Sequence, residues 1–159
     1  MADTLPGWSP ITGQAAFLNK ILDSGFEAYL VLLTSVTPPN DNTVTMANVS
    51  EVAAGNGYTS GGILLGFSDL TIGADVAHPE TGALGNYITV APQSWTASGG
   101  FLPNGEAARY AALTSIGAVI ANRYIYDIFA FGKAEQVPDG FPFSLPDIEF
   151  FLPRRIATT

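Results

Sequence analysis

The single histidine of this chain is the first residue to test for chemistry. His78 lies between Asp75 and Glu80, and a histidine with two nearby carboxylates is typical of a metal site or an acid–base pair. However, Pro79 follows it directly and glycines flank the segment, which indicates an exposed loop. The chain has no second histidine and no cysteine to complete a ligand set. We therefore predict that His78 is a surface residue and that no metal or cofactor is bound.

A second pattern with chemical meaning is the glycine-rich segment 55–62. It superficially resembles a loop that cradles phosphate, which needs a lysine, a buried strand before it and a helix after it. The segment has no lysine, and an apolar stretch typical of a strand follows it. The sequence thus predicts a glycine-rich turn that carries Tyr58, and no nucleotide site.

Two acidic residues stand on stretches rich in aromatic residues. Asp127 follows Tyr126, and Glu149 precedes two phenylalanines. Two carboxylates far apart in sequence can flank a sugar, with Trp8 and Trp95 as stacking platforms. One hypothesis is therefore a carbohydrate-binding or hydrolytic β-sandwich.

The alternative for Asp127 is an ion pair with Arg109 or Arg123 on a neighbouring strand, and we favour it. For serine-type catalysis His78 would have to be the base, and the Gly-x-Ser-x-Gly turn of such hydrolases is missing. We predict no catalytic residues and hence no enzyme.

The charge of the chain excludes two classes of partner. It carries 6 basic and 14 acidic residues, a net charge of −8 and a pI of about 4.2. Nucleic acid and anionic membranes both attract lysine and arginine, so neither is an expected partner. No apolar run reaches the ~18 residues of a membrane span. The N-terminus lacks the pattern of a signal peptide, so we expect synthesis and use without export.

Low charge combined with high apolar content favours an assembly subunit. Charged residues make up 13% of the chain, apolar residues 47%, and the mean hydropathy is +0.26. Since average proteins carry about 25% charged residues, part of this surface is expected to lie against another protein. The alternative is a neutral surface of Ser, Thr, Asn and Gly that stays in contact with water.

The pattern along the chain predicts a mainly β protein with one short helix. We expect an extended N-terminal arm over 1–11 and a single domain over 12–159. An amphipathic helix is predicted over 12–23, with Phe17 and Ile21 on its apolar stripe. Apolar stretches bounded by turn residues predict strands, with loops over 40–62 and 71–85. The predicted strands are 27–35, 62–70, 86–91, 107–114, 123–131 and a proline-broken edge segment 141–152.

Several short strands with turn signals between them predict a β-sandwich or jelly roll with the helix packed on it. The strand 123–131 is apolar on both faces: Ile125, Phe129 and Phe131 share one with Asp127. Such a strand lies between layers or between subunits. The predicted interface residues are Trp8, Phe17, Ile21, Tyr124, Tyr126, Asp127, Phe129, Phe131, Arg154 and Arg155.

A series of landmarks along the chain carries a resemblance to a known group. In the first half of the chain they are a short helix (17–22), a Tyr–hydrophobic–Leu–Thr strand (29–34), and an acidic–Val pair (51–52) before a Gly-Tyr pair (57–58). In the second half they are a Trp-led hairpin (95–114), a hydrophobic strand (125–132), a Val-x-x-Gly turn (137–140) and an aromatic strand (148–152). In this order they resemble a loose group of tailed-bacteriophage virion proteins, described as decoration, cement or tail-fibre proteins. The similarity covers most of the chain, and the segment 115–122 and the final proline-rich stretch depart from it.

The resemblance implies a small β-sandwich subunit that assembles on a virion. The first hypothesis is a capsid decoration protein, a homotrimer that binds the outside of the major capsid protein and stabilises the shell. It would be made in the host cytoplasm and end on the capsid surface. The alternative is a tail fibre, adaptor or baseplate subunit, and the copy number in purified particles separates the two.

Overall fold

Within the residues that the structure describes, the regular elements are strands and three short 3-10 helices. The structure is a computed structural model that describes residues 7–8, 27–34, 43–77 and 84–153. The strands are β1 (Gly7–Trp8), β2 (Glu27–Leu33), β3 (Ile63–Gly66), β4 (Leu70–Ala77), β5 (Leu84–Val90), β6 (Gln93–Thr96), β7 (Ala108–Thr114), β8 (Ile125–Glu135), β9 (Pro142–Leu145) and β10 (Ile148–Pro153). The 3-10 helices are Met46–Asn48, Phe67–Asp69 and Ile120–Asn122. The prediction of a mainly β protein is confirmed.

The strands form three antiparallel sheets. The largest has the order β1-β8-β7-β2-β3, the second β10-β5-β4, and β6 pairs with β9 alone. The continuous apolar run of β2 occupies an inner position of the largest sheet, where Ala28 and the four residues from Leu30 to Leu33 are all 0% exposed. The prediction of a strand buried on both faces is confirmed here, because an inner strand with apolar side chains on both sides needs a covered layer on each.

Two of the sheets share one long ribbon. Val90 lies opposite Ile148 in β5 and β10, and Gln93 lies opposite Leu145 in β6 and β9, so both ladders keep the same register. That register places Pro92 opposite Pro146 in the gap between them. Neither proline has an N–H to donate, so the ladder is interrupted there and resumes beyond.

The three sheets contribute to one hydrophobic cluster. Phe129 and Leu30 come from the largest sheet, Ile88 and Ile148 from the second, and Trp95 from the smallest. Trp95 packs edge-on against Phe143 across the β6–β9 pair, with ring centroids 6.3 Å apart. Removing this much apolar surface from water is the main stabilising contribution to the fold.

Strand β8 carries an irregularity that changes which residues share a face. Leu113 of β7 lies opposite Asp127, but the next residue, Thr114, lies opposite Ile125, so Tyr126 is an extra residue in the strand. Ile125 therefore follows the face of Thr114, away from Asp127. The predicted placement of Ile125 on the Asp127 face is wrong, because strict alternation holds only where the ladder is regular.

Two predicted connections differ from the structure. The predicted loop 71–85 is wrong over most of its length, since β4 occupies 70–77 and pairs with β5. The predicted Trp-led hairpin is also wrong, because Trp95 lies opposite Phe143 and not opposite a residue of β7. The final segment contains two strands, each at the edge of its sheet, which confirms the predicted edge position.

The predicted helix over 12–23, with Phe17 and Ile21, lies outside the described residues. Within the predicted arm, Gly7 and Trp8 form β1 and pair with Phe129 and Ile128 of β8. At these two positions the arm is part of the largest sheet.

Candidate interaction surfaces

A partly buried polar network fixes the glycine-rich segment against the edge of β2. The Tyr58 hydroxyl donates to Glu51 Oε1 at 2.7 Å and accepts from the backbone N–H of Leu32 at 3.2 Å. The same carboxylate accepts from the Gly61 N–H at 2.5 Å and from the Ser60 hydroxyl at 3.1 Å. Burial, and then the nearby Glu51 carboxylate, raise the pKa of the Tyr58 hydroxyl, so it stays a donor. The Gly61 N–H and the Ser60 hydroxyl thus donate to an internal carboxylate, and the segment forms the predicted glycine-rich turn.

Arg123 closes the other side of this loop. Its Nη1 donates to the Gly61 carbonyl and its Nε to the Gly117 carbonyl, both at 3.0 Å. Its guanidinium stacks over the Tyr29 ring, 3.9 Å from the centroid. Arg123 is only 7% exposed, so these contacts replace its hydration. The arginine ties the segments around residues 61 and 117 to the largest sheet.

The loop beside Arg123 presents apolar side chains to solvent. Ile116, Val119 and Tyr124 are between 48 and 58% exposed, and we call these three residues the apolar loop patch. The base of the loop is closed by hydrogen bonds between Ser115 and Tyr124, including Ser115 N–H to the Tyr124 carbonyl at 2.8 Å. Because Arg123 also holds Gly117, the patch is presented on a fixed backbone. Such exposed apolar groups are typical of a contact surface.

Two further exposed aromatic residues lie in the loops beyond the β6–β9 pair. Phe101 is 57% exposed and Phe141 is 60% exposed. The carbonyl of Phe101 accepts from the Asn56 side chain at 2.9 Å, and the carbonyl of Phe141 accepts from the Ala97 N–H at 2.9 Å. Their backbones are therefore held in place while their rings face solvent.

A groove lies between the distal part of β8 and strand β9. It has a volume of about 350 Å³, and we call it the β8–β9 groove. Phe131 and Phe143 line it, with ring centroids 6.0 Å apart, together with Val137 and Leu145. The carboxylate of Glu135 is its acidic group. This volume is near the lower end of ligand sites, roughly 300–1,000 Å³, which suits one or two side chains.

The exposed edge of β9 gives this groove a polar rim. The Ala97 N–H donates to the Phe141 carbonyl, so alternate residues such as Phe143 turn their backbone groups toward β6. The carbonyls of Pro142 and Ser144 consequently point away from β6. Prolines at 142 and 146 supply no N–H at this edge, so the rim offers more acceptors than donors.

Asp127 is buried in the largest sheet, and the predicted ion pair is wrong. It is 7% exposed and its Oδ1 accepts from the Ile128 N–H at 2.8 Å. Leu113 lies opposite it, Arg109 is exposed, and Arg123 is directed toward the loops. No ion pair within the described part of the chain involves Asp127. Burial raises the pKa of its carboxyl to about 7, with a smaller opposing effect of the Ile128 hydrogen bond.

The remaining predicted interface residues fall into three groups. Tyr126 and Phe129 are covered within their own chain, at 4% and 0% exposure. Burial raises the pKa of the Tyr126 hydroxyl. Tyr124 is exposed and Phe131 is half-buried, so both have surface to offer a partner. The other five, like His78, are outside what the structure describes: the side chain of Trp8 and all of Phe17, Ile21, Arg154 and Arg155.

The stacking platforms of the carbohydrate hypothesis are not both open to a sugar. Trp95 is only 6% exposed, because Tyr58 and Phe143 pack against its ring. Asp127 is equally covered, and only Glu149 of the proposed acid pair is exposed. The Trp95–Asp127 arrangement therefore gives no site at the surface.

The sequence interpretation predicted Tyr124 of the apolar loop patch and Phe131 of the β8–β9 groove as interface residues, but it missed the other residues of both surfaces. The rest of the patch could have been found from the sequence, since Ile116 and Val119 are large apolar residues on either side of Gly117 and Ala118, in a segment with no strand pattern. The groove had no such signal, because its lining residues come from β8 and β9, whose pairing partners no local pattern specifies.

No known protein family matches this chain, and no curated protein or solved structure shows significant similarity to it.

None of the helices in the described residues is long and apolar enough to cross a membrane. Within the same residues, no group of three or more His, Cys, Asp or Glu side chains is placed to hold a metal ion. The function has to be inferred from the surfaces themselves.

Proposed function

We propose that this chain is a structural subunit of a virion, most specifically a capsid decoration protein of a tailed bacteriophage. It would bind the outside of the major capsid shell as a homo-oligomer and act by binding energy alone. In this proposal the three antiparallel sheets are the layers of a β-sandwich of the jelly-roll kind. The shared hydrophobic cluster supports that arrangement, since all three sheets contribute buried side chains to it.

The observation that carries the proposal is the apolar loop patch. Ile116, Val119 and Tyr124 face solvent on a backbone that Arg123 and the Ser115–Tyr124 hydrogen bonds hold. Covering such side chains gains roughly 25 cal/mol for each Å² of apolar surface removed from water. A preformed loop loses little conformational entropy on binding, so most of this gain stabilises the complex.

The low charge of the chain supports the same proposal. Charged residues make up only 13% of the chain, so a neighbouring subunit that covers its surface has few charged groups to desolvate. Many equal contacts, each weak, would then reinforce the shell against the outward pressure of packaged genome.

The test is binding to tailless capsids. The purified chain is mixed with heads that lack tails, and the mixture is sedimented. We expect co-sedimentation at hundreds of copies per head, and a loss of binding of tenfold or more in Ile116→Ser/Val119→Ser. If complete particles carry about a dozen copies and tailless heads carry none, the protein is a component of the tail and not of the capsid.

A matched control separates binding from folding. Phe101→Ser removes an exposed aromatic residue of similar exposure in a different loop. Both variants should melt within a few degrees of the wild type, because neither side chain is buried. Equal loss of capsid binding in both would mean that the apolar loop patch has no special role.

A further inference from the structure

We propose that the β8–β9 groove binds the arginine-bearing segment 154–159 of a second copy of this chain. The inference rests on the self-association included in the proposed function, and it names the surface and the segment that meet. Its first support is the chemistry of the groove. Glu135 supplies a carboxylate, the carbonyls of Pro142 and Ser144 face outward, and two phenylalanine rings form the wall.

An arginine side chain matches each of these features. Its guanidinium has five N–H donors and no acceptor, so it needs a site with more acceptors than donors. It forms paired hydrogen bonds with carboxylates, and it stacks on aromatic rings. A lysine would use the carboxylate but would gain less from the rings.

Charge also favours this occupant. The chain has a net charge of −8 and only four arginines. Arg123 is used internally, and Arg109 is exposed on β7 away from any described acidic partner. Arg154 and Arg155 stand together and are followed by β-branched Ile156 and two threonines, a sequence that favours an extended backbone.

Glu135 already has a weak partner that an arginine can replace. Its Oε1 lies 3.2 Å from Lys133 Nζ, and the two side chains are 39% and 76% exposed. An ion pair this exposed contributes little, since water screens it and both side chains lose freedom in forming it. An arginine seated between the rings and the carboxylate would be better desolvated.

The ribbon geometry favours a second copy over the chain's own segment. The shared register carries β10 away from the groove, so that Pro153 lies up to about 26 Å of strand beyond Leu145, at ~3.3 Å per residue. Arg155 is two residues beyond Pro153, which adds at most about 7 Å of extended chain. We therefore assign the arginine at the groove to a second copy.

The edge prolines set the mode of binding. Pro142 and Pro146 prevent a regular ladder from forming on this edge, which is how natural proteins block unwanted strand addition. Recognition therefore depends on side chains entering the groove, and the outward N–H of Ser144 adds one backbone hydrogen bond. The β9 edge can therefore recognise the arginine-bearing segment by its side chains without serving as a template for aggregation.

The experiment is a charge swap in the full chain, read by sedimentation velocity across a range of protein concentrations. Arg155→Glu and Glu135→Lys should each weaken self-association by about tenfold or more, the effect expected for a charge-assisted pair. The double variant Arg155→Glu/Glu135→Lys should recover most of the loss. Arg109→Glu, with the same change of charge at an exposed site, should leave the association constant unchanged.

The milder variant Glu135→Gln keeps the shape of the groove and should also weaken association, with unchanged circular dichroism. A wild-type chain that stays monomeric, or a swap that restores nothing, overturns the inference. Equal weakening by Arg109→Glu overturns it as well, since net charge would then explain the effect. Capsid co-sedimentation separates this inference from the proposed function. A wild-type chain that self-associates but does not bind capsids overturns the proposed function and leaves the groove assignment intact. Variants that self-associate like the wild type overturn the groove assignment, whatever their capsid binding.

Discussion

Tyr58 and Glu51 share a 2.7 Å hydrogen bond that fixes the glycine-rich loop to the edge of β2. Tyr58 belongs to the loop, while the backbone of Glu51 bridges to Leu33 at the end of β2. The pair thereby joins a segment that has little apolar surface of its own to the best-packed strand of the protein. Loops that lack such an anchor open at lower free-energy cost.

The first prediction concerns this hydrogen bond. Tyr58→Phe should lower the free energy of unfolding by about 1–3 kcal/mol, because the buried Leu32 N–H and the Glu51 carboxylate each lose a partner while the ring stays. Urea denaturation of both proteins measures the difference. Tyr124→Phe is the matched control: its hydroxyl is on a half-exposed ring, and it should change stability by less than about 0.5 kcal/mol.

The second prediction concerns close backbone approach at Gly62. A Cβ built there would lie 2.0 Å from the Leu30 carbonyl oxygen, and Gly62 has a φ of +78°. Gly62→Ala should therefore cost more than about 2 kcal/mol or prevent folding.

Gly105→Ala is the control that isolates the steric effect. Its φ is +87°, but nothing lies within 4 Å of an added Cβ. It should cost only about 1 kcal/mol, the strain of a positive φ alone. Thermal melts that show equal effects at the two glycines would contradict the close contact at Gly62.

The third prediction is a pH dependence that Asp127 introduces. Its ordinary pKa of 3.8 applies to the unfolded chain, while burial raises the pKa to about 7 in the folded protein. Between these values the folded state binds more protons than the unfolded state, so the stability contributed by this group falls as the pH rises. Above pH 7 the loss is complete.

Asp127→Asn removes this dependence. At pH 8 the variant should be more stable than the wild type, by on the order of 4 kcal/mol, and near pH 4 most of the advantage should vanish. Unfolding free energies measured from pH 4 to 8 give the difference curve, in which the effects of all other carboxylates cancel. A flat difference curve would show that Asp127 is hydrated.

The fourth prediction concerns the face that Phe129 covers. Phe129→Asp should leave the chain insoluble or unfolded, because a charge without a partner in an apolar interior costs several kcal/mol. Phe141→Asp makes the same change at a residue that is 60% exposed, and it should remain folded. Soluble yield and circular dichroism compare the two, and a folded, soluble Phe129→Asp would mean that water reaches this face.

Local sequence patterns predicted most of the strands. The apolar run of β2 and the aromatic β8 were predicted because β-branched and aromatic residues favour extended backbone. The glycine-rich turn at 55–62 was also predicted, since several of its glycines have positive φ, a conformation that other residues rarely adopt. β4 was missed because Gly73 and Asp75 weaken the strand pattern, and the ladder with β5 compensates for that weakness.

The sequence by itself therefore determined the class of fold, most of the strand positions, the main turn and the low share of charged residues. Only the tertiary structure decided which strands pair: Trp95 meets Phe143 across almost fifty residues of chain, and the same register joins β5 to β10. It also decided that Asp127 is buried without an arginine and that Phe131, Glu135 and Phe143 line one groove. The physical reason is that propensity and alternation act over neighbouring residues, whereas pairing and burial depend on contacts between segments far apart in the chain.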